Sequence, residues 1–122
     1  MIGENENIIS WEYNLFNAIK DVSDLNMQKL AWLGKSSNFV SSFSEVISIL
    51  YDDFDFERYI EWYENSYGKN DFLHQMKILD KMISRYNPPY STELILSDPN
   101  WIEITKQAEN VFELRNKYLS NA

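Results

Sequence analysis

The sequence predicts an all-α protein, a single-domain bundle of about six helices. Apolar residues recur at three-four spacing along most of its 122 residues, and no convincing run alternates with period two. Only three Gly and three Pro are present, so helix breakers are few. The length suits one domain spanning residues 1–122, and 44% apolar content supplies a core of ordinary size. No internal repeat or low-complexity segment divides it.

Residues 1–7 are read as a frayed start. The first helix follows Ser10 as N-cap and places Trp11, Leu15, Ile19 and Val22 on one face. A second, short helix follows Ser23 or Asp24 and carries Leu25, Ala31, Trp32 and Leu33, with Gly34 where a left-handed C-terminal residue belongs. Lys35 to Asn38 is a loop. The third helix runs from about Val40 to Tyr51 with Phe43, Val46, Ile47 and Leu50 as its stripe. Asp52, Asp53 and Asp55 either interrupt it or open the next. Asp55 is placed as N-cap of a fourth helix, Phe56 to Tyr67, with Phe54 stapled onto Tyr59 and Gly68 at its end. Its apolar stripe is Phe56, Tyr59, Ile60, Tyr63 and Tyr67.

Asp71 is taken as N-cap of the fifth helix, whose stripe is Phe72, Met76, Leu79, Ile83 and Tyr86. Asn87, Pro88 and Pro89 stop it. Tyr90 to Ser97 is a linker, with Glu93 to Leu96 as a stretch open to extended structure. Asp98-Pro99, a capping residue followed by Pro at the first helical position, starts the last helix. That helix runs to about Leu119 and is apolar at Trp101, Ile104, Ala108, Val111, Phe112 and Leu119.

The net charge of −8 argues against direct contact with nucleic acid or an anionic membrane and favours a cationic partner. Aromatic content of 16% separates the chain from a disordered acidic tail. It has no cysteine, which excludes disulfides, thiolate metal sites and a cysteine nucleophile. The N-terminal MIGENENIIS lacks the basic-then-apolar order of a signal peptide, and no apolar run is long enough to span a bilayer. A cytoplasmic location is the expectation.

The acids are concentrated between Glu45 and Glu64. This block holds seven acids against one base, Arg58, and so carries −6 of the total −8. Glu45 belongs to the third helix and is incidental. Glu57, Glu61 and Glu64 recur on one face of the fourth helix, and Trp62 projects beside them. A large ring next to carboxylates suits an interface anchor. The competing account is a solvated helix face with Trp62 half-buried against a neighbour. Lys77, Lys81 and Arg85 form a basic row on the fifth helix that is able to neutralise Glu57, Glu61 and Glu64 within the molecule. Asp52, Asp53 and Asp55 keep no evident partner. The partner-binding candidates are therefore Asp52, Asp53, Asp55, Glu57, Glu61, Trp62 and Glu64.

Catalytic and cofactor patterns are poorly represented. Asp53, Asp55 and Glu57 alternate as in a calcium loop, but the position that requires Gly holds Arg58. His74, the single histidine, lies three residues after Asp71, with no nucleophile constellation around the pair. Acids on one convex helix cannot face each other across a glycosidase cleft. Gly3, Gly34 and Gly68 are isolated, so no phosphate loop exists. The expectation is a non-enzymatic protein without cofactor or metal.

Size, acidity and helical pattern, together with KSSNFVSSF (Lys35 to Phe43) and LYDDFDFERYI (Leu50 to Ile60), resemble small immunity proteins of bacterial polymorphic toxin systems, of the contact-dependent growth inhibition type. The resemblance implies a cytoplasmic inhibitor that binds a cognate toxin domain, often a nuclease and basic on its surface. It places no functional residue on this chain, so the candidates rest on charge and ring placement alone. The alternative is a regulatory adaptor or subunit that binds a host protein through an apolar helix groove.

Overall fold

The computed structural model describes residues 4–34 and 41–119. Within them the chain forms seven α-helices and one π-helical turn, with no strand. The helices are α1 (Glu4–Ser23), α2 (Leu25–Trp32), α3 (Phe43–Ser48), α4 (Phe56–Tyr67), α5 (Asp71–Arg85), α6 (Thr92–Ser97) and α7 (Pro99–Leu119); the π-helical turn, Ile49–Asp53, follows α3. The all-α bundle is as the periodicity predicts.

The long helix α7 is the strut of the fold and packs along both α1 and α5. Its buried face is Trp101, Ile104, Thr105, Ala108 and Val111. Opposite it, α1 buries Leu15, Phe16, Ala18, Ile19 and Val22. α4 and α5 form a helical hairpin turned at Gly68, whose φ of 78° places it in the left-handed region that favours glycine. α2 rests on α6, and α6 on α7.

Polar groups on different helices meet with little left unsatisfied. Gln28 of α2 is wholly buried. Its Nε2 donates to the carbonyls of Asp21 and Val22 at the end of α1, both at 2.9 Å, and its Oε1 accepts from Trp101 Nε1 at 2.9 Å. One amide thus closes the C-terminus of α1 and receives the largest buried ring of α7. Tyrosine hydroxyls join further elements. Tyr59 donates to Glu12 at 2.5 Å, Tyr51 to Asp80 at 2.7 Å and Tyr86 to Asp98 at 2.7 Å. Burial first, then the bonded carboxylate, pushes all three phenols well above their ordinary range.

Several expected boundaries move. Ser10 lies inside α1 rather than at its cap, because half-buried Ile8 carries the stripe of Trp11 and Leu15 back by another turn. α5 is capped by Asn70 rather than Asp71. Asn70 Oδ1 accepts from the Leu73 amide at 2.9 Å while its Nδ2 donates to Tyr63 Oη at 2.9 Å, and an aspartate has no such donor. Residues 92–97 of the expected linker form α6. Ser91 caps it, and Ile95 and Leu96 are buried. The third helix ends through the π-helical turn, in which Phe54 N donates to Ile49 O at 3.1 Å. Tyr67 is 61% exposed and leaves the core stripe of α4. The expected loop Lys35 to Asn38 and the start of the third helix at Val40 lie outside the described residues, as do residues 1–3 of the expected frayed start; residues 4–7 belong to α1.

Candidate functional site

The acidic block is built by the junction between two helices. Asp52 and Asp53 close the π-helical turn, Phe54 follows, and Asp55 caps α4. Asp55 has φ 50° and ψ 65°, a left-handed conformation that short polar side chains adopt more readily than most. Its carboxylate accepts from the Arg58 amide at 3.3 Å, and its carbonyl accepts the Tyr59 amide at 3.0 Å. The chain therefore turns from one helix into the next over two residues. Trp11 Nε1 donates to the Phe54 carbonyl at 2.6 Å and ties the turn to α1.

Asp52, Asp53, Asp55, Glu57 and Glu61 are all exposed. Among the described residues none of the five forms an ion pair. Asp52 accepts a hydrogen bond from Ser48 Oγ at 2.9 Å, a local contact that leaves its charge in place. Glu64 differs from the five. Lys77 Nζ lies 2.6 Å from its carboxylate and holds the carboxyl below its usual range. The basic row of α5 thus answers one acid of the face. Lys81 and Arg85 form no ion pair among the described residues.

Trp62 is half-buried. Its ring packs on Tyr59 at 5.5 Å, on Tyr67 at 5.8 Å and on Trp11 at 6.1 Å. The indole N–H groups of Trp11, Trp32 and Trp101 donate to Phe54, Ser41 and Gln28 respectively. That of Trp62 finds no acceptor among the described residues. The ring packs against its aromatic neighbours while part of its surface stays exposed. Exposed Tyr67 lies against it and widens the same aromatic edge.

No group of three His, Cys, Asp or Glu side chains converges to hold a metal among the described residues. His74 is exposed, and Asp71 accepts from Gln75 at 3.4 Å. Among the described residues no helix is long and apolar enough to cross a membrane.

A second surface feature was not singled out by its sequence. A groove of about 600 Å³ runs between α2, α6 and the start of α7, lined by Leu30, Leu33, Leu96 and Ile102 with Lys29 and Glu93 at its sides. Leu30 is 50% exposed and neighbouring Leu94 41%. Its signal lay in residues 92–97 being helical, which brings Leu96 to face α2.

No protein-family model, curated protein or solved structure matches this chain.

Proposed function

We propose that this chain is an immunity-type inhibitor. It binds a cognate toxin domain with a basic surface, a nuclease by chemical preference, and occludes it without catalysis. The observation that supports the reading is the run of five exposed carboxylates, Asp52, Asp53, Asp55, Glu57 and Glu61, with no cationic partner among the described residues. Acids left unpaired beside a half-buried Trp62 combine electrostatic steering with an anchoring ring. Glu64 sits at the edge of this surface and exchanges Lys77 for a partner cation less readily. The site of action is the cytoplasm of the producing cell.

The test is co-expression with the adjoining reading frame. That frame is expected to be toxic alone and tolerated with this chain. The triple variant Asp52→Asn, Asp53→Asn, Asp55→Asn should slow association with the purified toxin at least tenfold at low salt and flatten its salt dependence. Unchanged association rate and salt dependence would remove this surface from the reading.

The apolar groove beside Leu30 and Leu96 favours a second reading, an adaptor that holds a partner's amphipathic helix. That reading expects weak salt dependence and loss of binding in Leu30→Ala rather than in the acid variants.

A further inference from the structure

Between the end of α5 and the first turns of α7 lies a cavity of about 330 Å³. This is at the small end of the range for ligand pockets. Met82 and Ile104 give it an apolar lining, Tyr86 presents a ring, and Arg85 and Glu103 contribute opposite charges. Asn87 and Asn100 add two carboxamides.

Three features distinguish the cavity from a chance depression. Its aromatic wall is fixed: Tyr86 Oη donates to Asp98 at 2.7 Å, and its ring packs on Trp101 at 5.6 Å and Phe43 at 5.9 Å. Asp98 also receives the Asn100 amide at 3.0 Å, so the same carboxylate positions both Tyr86 and the start of α7. Second, Arg85 and Glu103 line one cavity without forming an ion pair with each other. Glu103 makes only a 3.5 Å surface pair with Lys106, and Arg85 has no carboxylate partner among the described residues. Third, the side-chain amides of Asn87 and Asn100 make no hydrogen bond among the described residues. A guanidinium and a carboxylate that line one cavity with Met82 and Ile104, and form no ion pair with each other, match a ligand carrying both charges on an apolar body.

We propose that this cavity binds a free apolar α-amino acid. Arg85 takes the α-carboxylate, Glu103 the α-ammonium, and Met82, Ile104 and the Tyr86 ring receive the side chain. A guanidinium and a carboxylate give paired, charge-assisted contacts to a zwitterion. A peptide terminus offers one of the two charges and satisfies half the site. The proposal is independent of the toxin-binding reading, since it uses no residue of the acidic junction.

The experiment is a titration of the full chain with L-leucine, followed by amide chemical shifts. Saturable shifts are expected at Arg85, Tyr86 and Asn87 and over residues 100–104. L-Leucinamide, which lacks the carboxylate, and N-acetyl-L-leucine, which lacks the ammonium, should each bind about tenfold more weakly or worse. Arg85→Gln should abolish the preference for leucine over leucinamide, and Glu103→Gln the preference over N-acetyl-leucine. Both side chains are exposed, so both variants should keep the helical circular dichroism of the parent. Absence of saturable shifts at millimolar leucine, shifts confined to another surface, or equal binding of leucine and its two blocked analogues would overturn the assignment.

Discussion

Glu12, Asp80 and Asp98 are half-buried acids that each accept a tyrosine hydroxyl from another element, whereas Asp52, Asp53, Asp55, Glu57 and Glu61 are exposed acids that meet no cation among the described residues. The first set lies in the seams where α1, α5 and the start of α7 meet their neighbours. The second set lies on the junction of the π-helical turn with α4. The difference is one of what each acid costs to keep. A half-buried carboxylate is retained only with a donor aimed at it, and so it becomes part of the scaffold. An exposed carboxylate is solvated without help and is free to serve a partner. Substitutions should therefore separate the two sets by their effect on folding.

The largest effect is expected at the buried amide of Gln28. Gln28→Leu removes the acceptor of Trp101 Nε1 and the donors to Asp21 O and Val22 O in a residue with no exposed surface. Asp21 O keeps the Asp24 amide at 3.4 Å, but leaving Trp101 Nε1 and Val22 O without the glutamine should lower unfolding free energy by about 3 kcal/mol in urea denaturation. A loss below about 1 kcal/mol would show that water reaches these groups.

A smaller loss is expected in the seams themselves. Tyr59→Phe strips Glu12 of its donor and should cost about 1–2 kcal/mol. The raised phenol pKa values of Tyr51, Tyr59 and Tyr86 add a pH signature. Each phenol is held neutral in the folded state above the pH at which it ionises in the unfolded chain. Their contribution is intact below the ordinary phenol pKa of about 10 and is lost as pH rises beyond it. Urea midpoints should fall steadily above about pH 10, and the slope should flatten in the variant carrying Phe at all three positions. An unchanged slope would mean that the three phenols ionise alike folded and unfolded.

How far these features were legible in the sequence follows the range of the interactions. The stripe Leu15, Ile19 and Val22 and the limits of α4 at Asp55 and Gly68 depend on residues within one or two turns, and both were readable. α6 was not, because six residues show too little periodicity after Pro88 and Pro89. Gln28 shares the stripe of Leu25 and Trp32, so a polar residue in an apolar row was its available signal. Its partner Trp101 lies 73 residues away, and no local pattern names it. The acidic junction was readable as composition. That Lys77 would reach Glu64 while Lys81 and Arg85 would form no ion pair among the described residues depended on the packing of α4 against α5.

The smallest effects should come from charge-only substitutions in the acidic junction, and there Asp55 divides the contribution of charge from that of conformation. Asp52→Asn and Asp53→Asn alter only exposed groups and should change stability by no more than about 0.5 kcal/mol. Asp55→Ala loses the cap on the Arg58 amide and places alanine in a left-handed backbone, so a loss of about 1–2 kcal/mol is expected. Asp55→Asn keeps an acceptor for the cap, tolerates the left-handed backbone and removes the charge, so its stability should stay within about 0.5 kcal/mol of the parent. If Asp55→Asn were as destabilised as Asp55→Ala, the negative charge itself would be stabilising the start of α4 through the helix dipole. Asp55 would then belong with the structural acids, leaving Asp52, Asp53, Glu57 and Glu61 as the charges available for recognition.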